Sequence, residues 1–336
     1  MWGYNRIDAR LEKPDESRSV LDRSTRARMN IRQATEADLG RLLDCHVGAP
    51  ISWANKAAYL KNLEARSYRL EWTWIAEENE HIIARAVWWG IPTGQHPMEL
   101  DCLYAASTAA DPIGVCARLV RLVIDSAPQD SPQPTYQLLL PSEWRCSERV
   151  QAAVSWRLKA VANAGLTQTV ERLRFEWKPD VSLPVRSSRL TFVEEPNDER
   201  WIDVFRRVAV GSLDSATRRE ESRTGGDVAA RNLLATYRSP PGRRDWWRLA
   251  LNGQGELIGF AMPAKNERGH TVGYLGVLPR HRGQGYANDL LAEITHRLVR
   301  DGAKRIVGDA DTDNVPMVEA FRRLQYRNFA VRIVAG

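Results

Sequence analysis

Val277-Leu278-Pro279-Arg280-His281-Arg282-Gly283-Gln284-Gly285-Tyr286-Ala287 reads as a buried strand that runs through a glycine-bearing turn straight into an amphipathic helix. Gly283 and Gly285 allow a sharp turn that shows consecutive N–H groups to one side. A helix starting near Gln284 adds the positive end of its dipole, so the segment predicts a cradle for a pyrophosphate that needs no metal. Arg280 and Arg282 are expected to supply charge at its rim. The segment has neither the Gly-x-x-x-x-Gly-Lys-Ser/Thr of a nucleoside-triphosphate loop nor the Gly-x-Gly-x-x-Gly of a dinucleotide fold. Acyl-coenzyme A, which also carries a pyrophosphate, is the leading ligand.

Around this stretch the pattern is that of an α/β unit. Leu290, Leu291, Ile294 and Leu298 give the following helix an apolar stripe, and Gly302 closes it. Strands are expected at 190–193, 246–251, 257–262, 271–277 and 305–309, with helices at 197–210 and 226–237 and another carrying Met317, Phe321 and Leu324. A similar order comes earlier. A strand near 30–34 precedes helices at 36–47 and 53–66, a hairpin over 71–89, a strand at 99–104 and a helix opening at Asp111-Pro112, where Asp as N-cap and Pro at the first helical position mark a start. A strand at 137–140, a helix with Val150, Val154, Leu158 and Val161 on one face, and a last strand pair around 166–177 complete it. The reading is therefore two tandem copies of one plan: a flexible extension at 1–28, a first domain at 29–178, a linker at 179–188 and a second domain at 189–336.

Arg280-x-x-Gly283-x-Gly285 after a Val-x-Pro strand end resembles the acyl-CoA signature of the GNAT superfamily of N-acyltransferases. Downstream, Asp311-Thr312-Asp313-Asn314-Val315-Pro316-Met317 followed by Phe321 and Leu324-Gln325-Tyr326 resembles the next block of that family. The whole is similar to tandem-domain actinobacterial members without an assigned substrate. The resemblance implies two GNAT-like domains, each a mixed central sheet flanked by helices, with a splayed strand pair for acyl-CoA. It implies backbone contacts to the cofactor from Leu275, Gly276 and Val277, phosphate contacts from Arg280, Arg282, Gly283, Gln284, Gly285, Tyr286 and Ala287, and further contacts at Asn314 and Phe321. Asn314 reads equally as a helix N-cap. At the matching place the first domain has Ala105-Ala106-Ser107-Thr108-Ala109-Ala110-Asp111-Pro112, without paired glycines and with an acid where a phosphate would sit.

Acyl transfer to an amine needs a base, and the strand before Val-x-Pro offers Glu267, His270 and Tyr274. His270 is the first choice because an imidazole is partly neutral near pH 7; Arg268-Gly269-His270 reads alternatively as an exposed turn. Asp309 and Asp311 alternate onto one face of the next strand, as bases or as a solvated strand end. The family's thiolate-protonating Tyr falls on Phe321, which has no proton to give, so that the thiolate leaves unassisted, water or another Tyr such as Tyr326 serves, or the domain is catalytically weak. Gln325 stands where the family has Gly. Asp214 is read as a helix cap or a substrate contact. Trp72, Trp74, Trp88, Trp89, Trp246 and Trp247 are expected on hairpin strands, mostly as packing, with one or two lining an acceptor pocket.

The chain has 336 residues, enough for two such domains, and a net charge of +6. Residues 187–336 hold 24 Lys and Arg against 19 Asp and Glu, so the positive excess lies with the cradle. That suits a polyanionic cofactor; the basic residues are too dispersed for a nucleic-acid motif. No apolar run is long enough to span a bilayer, and the N-terminal stretch is unlike a signal peptide, so no membrane partner is expected and the location reads as cytoplasmic. Cys45, Cys102, Cys116 and Cys146 lack metal spacing and read as buried reduced thiols, with no metal implied. The expected activity is an acetyl-CoA-dependent N-acetyltransferase acting, as monomer or homodimer, on a primary amine of a small molecule. A non-catalytic acyl-CoA sensor and a peptide or protein acetyltransferase are the alternatives.

Overall fold

The computed structural model describes residues 29–48, 51, 53–128, 134–238, 243–266 and 269–336; the 1–28 extension lies outside the described residues. The first half carries β1 (Asn30–Gln33), α1 (Leu39–Asp44), α2 (Lys56–Glu64), β2 (Tyr68–Glu78), β3 (His81–Trp89), β4 (Glu99–Ala105), α3 (Pro112–Ser126), β5 (Thr135–Pro141), α4 (Glu148–Asn163) and β6 (Thr169–Trp177). The second carries β7 (Thr191–Val193), α5 (Asp198–Ala209), α6 (Ser215–Thr224), α7 (Gly226–Arg238), β8 (Arg248–Leu251), β9 (Leu257–Asn266), β10 (Gly269–Val277), α8 (Tyr286–Arg300), β11 (Ile306–Asp311), α9 (Val315–Arg323) and β12 (Arg327–Ala335).

The twelve strands of the described residues form one mixed sheet in the order β1-β2-β3-β4-β5-β12-β6-β11-β10-β9-β8-β7. The expected strand pair around 166–177 is a single strand, β6, and it does not pair with β5. It lies between β11 and β12, while β12 lies between β5 and β6. Each half thus gives its last strand to the sheet of the other. The cores follow: Phe175 and Trp177 of β6 pack with Leu290, Ile294 and Phe321 of the second half, and Val331, Ile333 and Ala335 of β12 pack with Leu138 and Val154 of the first.

Why the helices cover the sheet is plain from their spacing. In α5, Trp201, Ile202, Val204, Phe205 and Val208 are buried on one side and Asn197 caps the start by accepting from the Glu199 amide. β9 is buried on both faces. Its Leu257, Phe260 and Met262 meet α5 and Leu234 of α7, and its Ile258 meets Leu290 and Leu291 of α8 on the other side. Trp246 and Trp247 precede β8 rather than lying on it; Trp247 packs edge-on to Trp201, with ring centres 5.3 Å apart. Cys45, Cys102 and Cys116 are buried and Cys146 is exposed, a correction to the expectation for that thiol.

Candidate functional site

β10 and β11 run parallel but pair only at His270 with Ile306 and Thr271 with Val307. β10 continues along β9 as far as Val277 opposite Gly259. Among the described residues its other edge therefore has no strand partner from Tyr274 to Val277, and β10 and β11 open into a fork. The opening starts at a bulge between Thr271 and Tyr274. Gly273 makes that bulge at φ +70°, and a Cβ on it would stand 2.2 Å from the Met262 carbonyl oxygen, so a larger residue cannot take its place.

At the mouth of the fork a 3-10 turn over Pro279–His281 leads through Gly283 and Gly285, each at φ +77°, into α8. The first amides of α8 have no carbonyl within the helix to bond, and the helix dipole points its positive end at the same place. A cavity of about 800 Å³ runs from there into the fork, lined by Leu275, Gly276, Val277, Arg282, Gly283, Gly285, Tyr286, Ala287, Asn314 and Phe321 among others. Arg280 and Gln284 are exposed and outside this lining. Arg282 lines the cavity but is not a rim charge. Its guanidinium donates to the carbonyls of Val208, Val210, Gly211 and Val277, tying the end of α5 to the cradle. Asn314 caps α9, its Oδ1 accepting from the Met317 amide at 3.4 Å.

The expected catalytic residues separate. His270 sits at the start of β10, about 23 Å along the strand from Val277 at some 3.3 Å per residue. It bonds Asp301 at 3.0 Å and does not line the cavity. Glu267 lies outside the described residues. Asp311 is buried: it accepts from the Ser215 amide at 2.6 Å and faces Arg172 at 3.3 Å, so it holds structure instead of meeting a substrate. Tyr274 lines the cavity, its hydroxyl 3.1 Å from Thr217 Oγ1. Burial pushes its phenol up to about 12, so it stays protonated at neutral pH. Phe321 stacks face to face on Phe175 with ring centres 4.7 Å apart. Tyr326 bonds Thr295 at 2.7 Å in the core and does not reach the cavity to stand in for it.

Sequence reasoning missed several polar residues of the cavity wall, among them Arg172, Thr217 and Tyr237. Tyr237 stacks on Tyr274 at 6.1 Å and donates to the Gly273 carbonyl, bracing the bulge. Arg172 comes from β6, and nothing in its local sequence signals a place in the second half's cavity. Asp214, read as a cap or a contact, does cap α6 and lines the cavity as well. Every carboxylate of the lining has a partner. Asp214 meets Arg172, Glu220 meets Arg223, Asp309 meets Arg174 and Arg332, and Glu319 meets Arg322. None of the Trp residues expected on hairpins is in the lining.

The first half repeats the fork without the cradle. β4 and β5 pair only at Glu99 with Thr135 and Leu100 with Tyr136. Past that point the Leu103 carbonyl accepts from Nε of the buried Arg157, carried on α4. The Asp111 carboxylate accepts from the Gly114 amide at 2.8 Å and so takes the α3 N-terminus itself.

A forked parallel pair, a glycine bulge and a helix N-terminus behind two left-handed glycines thus meet in one cavity of the second half. Residues 212–326 match the model of the Acetyltransferase (GNAT) family. The chain is 27% identical over 165 residues to a mycothiol acetyltransferase of Arthrobacter sp. (strain FB24), covering 47% of this chain and 48% of that relative. It is 32% identical over 74 residues to an acetyltransferase of Photorhabdus laumondii, covering 22% of this chain and 52% of that one. The chain spans about half the length of the curated relatives it matches. In fold it is similar to a GCN5-related N-acetyltransferase from Sphaerobacter thermophilus, with a TM-score of 0.53 at 16% identity over 91% of this chain and 94% of that one. It is also similar to the glucosamine N-acetyltransferase region of a fungal multi-domain β-N-acetylglucosaminidase, with a TM-score of 0.53 at 11% identity over 93% of this chain and 38% of that one. Among the described residues no helix is long and apolar enough to cross a membrane, and no cluster of His, Cys, Asp or Glu fits a metal ion.

Proposed function

We propose that this protein is an acetyl-CoA-dependent N-acetyltransferase that acylates a primary amine of a small molecule in the second half's cavity. The observation that carries this reading is the β10–β11 fork ending at the Gly283–Gly285 cradle. The unpartnered edge of β10 from Leu275 to Val277 would hold the pantetheine arm, and the amides of Gly283, Gly285, Tyr286 and Ala287 the diphosphate. Acetyl-CoA bound there supplies an electrophilic thioester carbonyl and a thiol leaving group. A small acceptor suits a cavity of about 800 Å³ walled in part by α5, α6 and α7, and the likeness to an enzyme named for mycothiol points the same way.

The wall residues orient the acceptor. Every carboxylate of the lining is paired, Tyr274 stays protonated, and the imidazole of the lining, His281, already accepts from Arg280 Nε on its Nε2, so none of these groups is assigned as the base. The amine then reacts as its free base, formed in solvent. The second reading, an acyl-CoA sensor, is favoured by Phe321, which has no proton for a departing thiolate.

Purified protein with acetyl-CoA and a panel of primary amines should release free thiol. The acid limb of kcat/KM should follow the pKa of each amine in turn. Saturable acetyl-CoA binding without thiol release across the panel would establish the sensor instead.

A further inference from the structure

A hydroxyl carries one proton. Thr217 gives its own to Asp214, Oγ1 to Oδ1 at 2.9 Å. In the 3.1 Å bond between Thr217 Oγ1 and the Tyr274 hydroxyl, Tyr274 must then be the donor. With that proton turned to Thr217, the Tyr274 oxygen has only lone pairs left for the cavity it lines. It can accept there and cannot donate.

Asp214 is itself held. The Thr217 amide donates to it at 2.8 Å, and Arg172 Nη2 donates to Oδ2 at 3.3 Å. Arg172 also faces Asp311 at 3.3 Å, and Asp311 accepts from the Ser215 amide at 2.6 Å. One guanidinium from β6 thus fixes the start of α6 against the end of β11. Since β6 is the strand that the first half gives away, this guanidinium is the first half's entry into the second half's cavity.

We infer that Thr217, Asp214 and Arg172 form a positioning chain that fixes Tyr274 as the hydrogen-bond acceptor for the N–H of the incoming amine, with the first half supplying the chain's anchor. This rests on the acetyltransferase reading above and says how that site selects its acceptor. A nitrogen bearing an N–H is held with its lone pair free for attack, whereas a fully substituted nitrogen, with no hydrogen to donate, is not held.

The test uses the full chain, acetyl-CoA, and the fastest acceptor among ethanolamine, glucosamine, spermidine and glycinamide. Thr217→Val should lower kcat/KM for the amine by about tenfold, the weight of one such hydrogen bond. Thr217→Ser should restore it, and the Kd of CoA should stay unchanged in both. Calorimetry of the amine with CoA-saturated protein should show the same loss in Thr217→Val without any turnover. In a Tyr274→Phe background, Thr217→Val should add nothing, because it acts through Tyr274. Additive losses, no rescue by Ser, or a matching loss of CoA affinity would overturn the chain while leaving the acetyltransferase reading in place. Absence of thiol release from the unaltered protein with all four amines would overturn that reading, and this inference with it.

Discussion

His270 shows how a residue can be near a site in sequence and far from it in chemistry. Its imidazole pairs with Asp301, whose carboxyl it holds below the ordinary range, with Lys265 adding to the effect. His270→Gln should leave acyl transfer within about twofold of the unaltered protein, while lowering stability at neutral pH by up to about 1 kcal/mol, as for a partly exposed pair. The sign follows from linkage. A carboxyl depressed in the folded state stabilises above its unfolded pKa and loses that contribution as pH falls through the folded value. Denaturation of the two proteins should therefore differ at pH 7 and converge below about pH 4; a large loss of activity instead would return His270 to the chemistry. Gln325 is the opposite case. It occupies the left-handed C′ position of a Schellman motif at φ +62°, with the Tyr326 amide donating to Phe321 and its own to Arg322. A side chain there costs about 1–2 kcal/mol, part of which glycine gives back through the freer unfolded chain. Gln325→Gly should raise the urea midpoint by an amount worth about 0.5–1 kcal/mol, and an unchanged or lower midpoint would show that the Gln side chain compensates for its own strain.

At the scale of elements, the cradle works only if two residues stay left-handed. No heavy atom lies within 4 Å of a Cβ placed on Gly283, so alanine there meets no clash and acts through φ alone. The added strain of about 1–2 kcal/mol makes the loop relax away from φ +77°, and CoA should bind about five- to thirtyfold more weakly by calorimetry. Undiminished affinity in Gly283→Ala would mean that the diphosphate sits elsewhere. This element was legible beforehand because its strand, glycines and helix are contiguous and the apolar stripe of α8 is regular. Two others were not. α6, Ser215-Ala216-Thr217-Arg218-Arg219-Glu220-Glu221-Ser222-Arg223-Thr224, has no buried residue and so no stripe to read, yet it brings Thr217 and Glu220 to the cavity. β12 follows Tyr326, where the family resemblance ends, and no element was expected there. Arg172 was illegible for a third reason: period-2 alternation says which face a residue takes but not which strand lies beside it.

At the scale of the whole molecule, the exchange of β6 and β12 makes the two halves hard to part. β6 is bonded to β11 and β12, and β12 to β5, so the central four strands alternate between the halves. Phe175 and Trp177 are buried in the second half's core. At about 1.5–3 kcal/mol for each large apolar side chain removed from water, these two alone resist separation by several kcal/mol. Arg174–Asp309 and Arg305–Glu176 cross the same seam. The connection over residues 179–188 is largely exposed, Val185 being 92% accessible, and is pinned to α8 through His296 and Arg186. A protease site inserted within 179–183 and then cut should leave fragments that migrate together in gel filtration, retain CoA affinity within about twofold, and part only in denaturant, with loss of both cores at once. Two species separating in native buffer, each folded by circular dichroism, would show that the shared sheet is not needed to hold the halves. In that event Arg172 would be lost from the second half's cavity, and CoA binding without selection of the amine should survive in the isolated 189–336 fragment.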